Sequence, residues 1–166
     1  MSGLYVSKRR DLRNHKGTTV GKFASTKSDI VPVLTDGKLE ADYCYHLEYD
    51  RNVVKYECQP LGYYYAGETS TGRRPSYTPD FQIWFKDNSI NYREIKEEKY
   101  IDAELEALFP KLQEQALILK KPLTMVLDTE IRAEPHFSNL KALFKAKKNR
   151  SINTELLMQL TPLLEN

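Results

Sequence analysis

Cysteine is scarce in this chain. Cys44 and Cys58 are the only two among 166 residues, and no CxxC pair or Cys/His cluster at zinc spacing occurs. A disulfide framework and a structural zinc site are therefore excluded. Both thiols are expected as reduced core residues, Cys44 in a helix and Cys58 in a strand. Long apolar runs are missing too. None approaches the roughly 20 residues of a membrane span, and no apolar segment follows the basic N-terminus as in a signal peptide. The expectation is a cytoplasmic protein with no membrane partner. Internal repeats and low-complexity tracts are absent. With 40% hydrophobic and 29% charged residues, the chain has the make-up of one folded domain and not of a disordered segment.

Net charge is also small, +2, but it is unevenly spread. Residues 8–22 carry Lys8, Arg9, Arg10, Arg13, Lys16 and Lys22 against Asp11 alone, and residues 141–150 carry Lys141, Lys145, Lys147, Lys148 and Arg150 with no acid. Such clusters are either ordinary solvated faces or contacts for a polyanion. Residues 1–21 read as a basic arm, and residues 22–166 as the folded domain. Arg73 and Arg74, in the polar loop 67–75, are either merely exposed or join Lys8, Arg9, Arg10, Arg13 and Lys16 as candidate phosphate contacts.

The pattern alternates helix and strand. Short β-like pieces occupy 22–34, where Pro32 confines Ile30–Leu34 to an edge. Leu39, Tyr43 and Leu47 predict a helix that stops near 49–52. Glu40 borders that stripe, and a carboxylate there calls for a basic side chain, water or a metal. Residues 53–60 predict a strand with Val54, Tyr56 and Cys58 on one face and Lys55, Glu57 and Gln59 on the other. Leu61–Tyr65 predicts a short strand. Residues 101–119 are amphipathic, with Pro110 ending or kinking a first helix near 108–109. Leu123–Leu127 predicts a buried strand that crosses over to pair in parallel. Helices follow near 135–146 and 154–160. His46 reads as a satisfied, half-buried histidine. The order describes an α/β fold, a mixed central sheet flanked by helices.

The run from Tyr77 to Lys96, YTPDFQIWFKDNSINYREIK, carries the chemistry. It predicts a hairpin turning at Asp87-Asn88. Asp80 and Glu94 are centred on residue 87 and so face each other across the strands. Phe81, Ile83 and Phe85 share the core face. Asp80 and Gln82 share the other, and Glu94 and Lys96 lie together because they are two apart. Two carboxylates and an ammonium at one hairpin end suit a divalent cation and a phosphate. They equally describe turn residues and a surface ion pair.

Asp80 followed by Glu94-x-Lys96, with Pro79 before it, is the PD-(D/E)xK nuclease pattern. The wider set, Leu39-Glu40, Leu47-Glu48-Tyr49-Asp50, Gln59-Pro60, Tyr77-Thr78-Pro79-Asp80-Phe81 and Glu94-Ile95-Lys96, resembles the catalytic N-terminal domain of TnsA-type transposon endonucleases. The resemblance implies a restriction-endonuclease-like core. It implies a Mg2+-dependent DNA endonuclease, with Mn2+ able to substitute, that cuts the non-transferred strand at transposon ends. Glu40, Asp80 and Glu94 would be the metal-binding acids, with the backbone carbonyl of Ile95. Lys96 would be the catalytic lysine and Gln59 a supporting polar residue. Implied partners are double-stranded DNA, a TnsB-like DDE transposase and a TnsC-like AAA+ regulator. Some members carry Gln at the Glu94 position. Longer members add a C-terminal domain that engages the regulator, and residue 166 falls where it would begin. Two other readings share the fold: a stand-alone phage or repair nuclease acting on branched DNA, and a catalytically silent DNA-binding or assembly subunit.

Overall fold

The computed structural model describes residues 4–6, 20–67, 69 and 71–149. Short alternating runs form strands β1 (Val20–Phe23), β2 (Val33–Asp36), β3 (Val53–Cys58), β4 (Tyr63–Tyr64), β5 (Ser76–Tyr77), β6 (Phe81–Phe85), β7 (Ile90–Lys96) and β8 (Leu123–Leu127). The helices are α1 (Lys38–Tyr49), α2 (Ala103–Ile118), α3 (Asp128–Ile131) and α4 (His136–Asn149). A 3-10 turn covers Glu98–Tyr100. The central sheet runs β3-β6-β7-β8, and two smaller two-stranded sheets are β1-β2 and β4-β5. β3, β6 and β7 are antiparallel, while β8 joins β7 in parallel. The parallel pairing follows from the α2 crossover, because only a long connection brings the chain back in the same direction.

The hairpin register is Phe81↔Arg93, Gln82↔Tyr92, Ile83↔Asn91 and Trp84↔Ile90. One step further places Asp80 opposite Glu94, as predicted. Asn88 closes the turn at φ 66. Asp87 Oδ1 accepts from Ser89 N at 2.9 Å and from Ser89 Oγ at 2.6 Å. A short polar side chain that bonds its own backbone tolerates this left-handed turn.

Strand parity divides the core. Phe81, Ile83 and Ile95 pack with Cys44, Leu47, Tyr56, Cys58 and Ile131 on the α1 side. Tyr92 packs with Tyr63, Leu112, Ala116 and Leu123 on the α2 side. Each fully buried Leu, Ile or Phe among them contributes about 1.5–3 kcal/mol by leaving water. Cys44 and Cys58 are free and buried, as expected. His46 Nε2 donates to the Ile131 carbonyl at 2.7 Å, which fits the satisfied-histidine reading. Among the described residues, no helix is long and apolar enough to cross a membrane.

Several expectations are corrected. The line of greatest burial on α1 is Glu40, Cys44, Leu47 and Glu48, and Leu39 and Tyr43 are only half-buried. Val54 is exposed because the register slips between Val53 and Lys55, so Val53 takes the inward place instead. Pro110 lies inside a continuous α2. Pro110 and Glu106 are both exposed, so the carbonyl that loses its partner lies on the solvent side, and the helix continues at modest cost. β8 is an edge of the central sheet, which leaves Leu123 buried but Thr124 exposed. Leu143 of α4 is exposed. Tyr77 belongs to β5 and not to the central hairpin. The N-terminal arm is partly anchored. Tyr5 bridges Tyr63, and Val6 N donates to Gly62 O at 2.9 Å. The helix expected at 154–160 lies outside the described residues, as do Lys8, Arg9, Arg10, Arg13 and Lys16.

Candidate active site

Asp80 is held by the loop that follows β3. Gln59 N donates to the Asp80 carbonyl at 2.8 Å, and Gln59 Nε2 donates to Asp80 Oδ1 at 3.2 Å. Gln59 achieves both at φ 46. That left-handed backbone costs a residue with a Cβ roughly 1–2 kcal/mol. Pro60 and Pro79 are fully buried beside this seam. Gly62 is required there, since a Cβ would stand 2.6 Å from both the Tyr77 carbonyl oxygen and Thr78 Oγ1. From the opposite strand, Ile95 N donates to Asp80 Oδ2 at 2.8 Å. The contribution of Ile95 seen here is thus its amide; its carbonyl was the group expected to matter.

Glu94 comes from the end of β7, with Lys96 two residues on and Ile95 turned into the core. Tyr77 Oη donates a hydrogen bond to Glu94 Oε2. Glu40 enters from the first turn of α1 and is only 7% exposed. Its Oε2 accepts from Asp36 N at 2.8 Å, which ties the helix start to β2. Glu40 meets a backbone amide and two further carboxyls, Asp80 and Glu94, none of which was among the partners the sequence allowed.

The electrostatics follow from that crowding. Burial first, then the neighbouring Asp80 charge, pushes Glu40 up to about 9. The same two causes push Glu94 up to about 8, against the opposing pull of Tyr77 and Lys96. Burial raises Asp80 as well, while hydrogen bonds from Ile95, Gln59 and the two glutamates oppose it. Three carboxyls thus share protons at one sheet end. Among the described residues no three His, Cys, Asp or Glu side chains form a ready-made metal cage. Here the carboxyl oxygens are engaged by protein donors and by one another. Their chemistry nonetheless fits a hard divalent cation: all-oxygen donors, closely packed, whose mutual repulsion a positive charge relieves.

The predicted set is therefore brought together in part. Glu40, Asp80, Glu94 and Gln59 converge, and Lys96 shares the β7 face of Glu94. Arg73 and Arg74 are exposed in the loop between β4 and β5, with the Arg74 guanidinium 5.6 Å from the Tyr64 ring. The residue that sequence reasoning missed is Tyr77. It stands three before Asp80 in the run already quoted, but nothing local to it foretells a bond to a strand it does not pair with.

A mixed sheet with a helix against each face and acids at the end of its central hairpin defines a restriction-endonuclease-like core. Residues 50–122 match the family described as TnsA-like endonuclease N terminal. The matched segment is similar to that family, and it contains Gln59, Asp80, Glu94 and Lys96, whereas Glu40 lies ahead of it. No curated protein matches the chain.

Proposed function

We propose that the protein is a metal-dependent DNA endonuclease that cleaves the non-transferred strand at transposon ends, as the TnsA-like subunit of a heteromeric transposase. The observation that carries this reading is the meeting of Glu40 of α1 with Asp80, just before β6, and Glu94 of β7 at one buried point. Glu40, Asp80 and Glu94 would hold Mg2+, or Mn2+ in its place, with the Ile95 carbonyl as a further oxygen. When bound, the cation supplies Lewis-acid neutralisation of the phosphodiester.

The chain's own residues do the rest. Gln59 and the Ile95 amide fix both oxygens of Asp80. Tyr77 fixes one oxygen of Glu94. Lys96 orients the attacking water or offsets negative charge on the phosphate. Arg73 and Arg74 contact the DNA backbone, together with Lys8, Arg9, Arg10, Arg13 and Lys16 of the arm. End selection rests with a TnsB-like DDE transposase, and a TnsC-like AAA+ regulator completes the assembly.

The test is plasmid and transposon-end cleavage with Mg2+ or Mn2+, with and without the transposase, beside Asp80→Ala. Cleavage by the wild type and not by Asp80→Ala supports the reading. Silence of the wild type under every condition, partner included, ends it. Cleavage confined to branched DNA and indifferent to the partner points to a stand-alone nuclease instead.

A further inference from the structure

We infer that Tyr77 is a positioning residue of the cleavage site: its hydroxyl, donated to Glu94 Oε2, holds the Glu94 carboxyl in the orientation that receives a divalent cation. This deepens the endonuclease reading above and rests on it.

Tyr77 does not belong to the sheet that carries Glu94. It ends β5, which among the described residues pairs with β4, Tyr63 opposite Tyr77 and Tyr64 opposite Ser76. Its ring meets Tyr63 edge to face, with centroids 5.5 Å apart. Tyr63 is fully buried, stacks on Tyr92 at 5.6 Å and donates its own hydroxyl to the Leu112 carbonyl of α2 at 3.0 Å. The backbone of Tyr77 is fixed as well, since Gly62 leaves room for its carbonyl where any Cβ would collide. The hydroxyl therefore reaches Glu94 from a platform anchored on α2, on Tyr92 of β7 and on the Gln59–Gly62 loop.

A glutamate at a strand end has three rotatable bonds and next to it a carboxyl partner, Asp80. Glu94 is hydrogen-bonded to that partner, and the Tyr77 hydroxyl is its second tie. The Tyr77 bond takes Oε2 and so selects how the remaining oxygen is presented. Donors behind a ligand commonly govern metal affinity or activity by about 10–100-fold. The same four-residue run, Tyr77-Thr78-Pro79-Asp80, thus delivers one acid and the clamp for the other.

The experiment compares the full chain with Tyr77→Phe, which removes one oxygen and keeps the ring. Tyr56→Phe serves as control, because it removes a buried hydroxyl on the α1 side of the sheet. Mn2+ is titrated into each protein without DNA and followed by electron paramagnetic resonance. The expected result is a midpoint about tenfold higher for Tyr77→Phe and unmoved for Tyr56→Phe. In cleavage assays at saturating Mn2+, kcat for Tyr77→Phe falls about tenfold or more while KM for DNA stays put. Thermal melts in chelator check that both variants fold. Wild-type Mn2+ binding and kcat in Tyr77→Phe overturn the proposal, as does an equal loss in Tyr56→Phe. If the wild type itself neither binds Mn2+ nor cuts DNA with its partner, and behaves as Asp80→Ala does, the endonuclease reading has failed and the role of Tyr77 falls with it.

Discussion

Gln59 and Asp80 are joined twice, main chain to main chain at 2.8 Å and side chain to side chain at 3.2 Å. The first bond closes the seam between β3 and β6. The second aims the Asp80 carboxyl. One residue in a left-handed backbone makes both, so its conformation is tied to the site it serves.

Gln59→Gly separates these roles. Glycine adopts φ 46 without strain and keeps the main-chain bond, but loses the amide that reaches Asp80. Stability is expected to change by less than about 1 kcal/mol, since relief of strain offsets the lost hydrogen bond. Cleavage is expected to fall about tenfold or more. Urea melts and nicking rates on one preparation check this. A variant that cuts at the wild-type rate would remove the Gln59 side chain from the site.

Gly62→Ala is expected to hurt both. The added methyl meets the Tyr77 carbonyl at 2.6 Å, and the loops on either side of the seam must part. A loss of about 1–3 kcal/mol is expected from overpacking. Because Tyr77 and Asp80 lie on the displaced segment, activity drops even where the protein stays folded. Denaturant titration together with cleavage below the transition reads both effects.

The raised acids set a pH dependence. Glu40 near 9 and Glu94 near 8 both stand above the roughly 4.3 of a glutamate in an unfolded chain. Between those values the folded state binds more protons than the unfolded state, so stability is fully present below about pH 4.3 and is lost as pH rises through 8 to 9. In chelator, the melting temperature should therefore decline across that range. Glu40→Gln, which stays neutral, should flatten the decline while abolishing cleavage. Mg2+ should restore the wild type at pH 8.5 but not Glu40→Gln. A wild-type melting curve indifferent to pH from 6 to 9 would contradict the crowding described here.

Glu48 provides the contrast of an acid serving the fold. It is buried, accepts from Ser25 Oγ and Thr26 N at 2.9 Å each, accepts from the Thr26 hydroxyl, and lies 3.6 Å from Lys147 Nζ. Glu48→Ala strands those donors and should cost about 2–3 kcal/mol. At temperatures where the variant is folded, the metal concentration for half-maximal cleavage should match the wild type. A shifted metal requirement would mean that Glu48 reaches the site after all.

What the sequence determined by itself was local and periodic. Pairing about residue 87 placed Asp80 against Glu94, alternation sent Ile95 inward and Glu94 outward, and the long helical spacing before Leu123 forced a parallel return. Each rests on the two-residue period of a strand or the handed crossover of a helix, rules that act over a few residues. Tertiary structure decided the rest. Only packing lowers the first turn of α1 onto the hairpin end and buries Glu40 with two other acids. Only the β4-β5 platform brings the Tyr77 hydroxyl to Glu94, and only the seam with Asp80 holds Gln59 at φ 46. A slip at Val54 and an uninterrupted helix through Pro110 belong to the same class. Which neighbour a half-buried polar group meets depends on surfaces distant in sequence, and no periodicity along the chain records it. The hairpin of acids was therefore legible in the sequence, while the clamps that aim those acids existed only once the layers had packed.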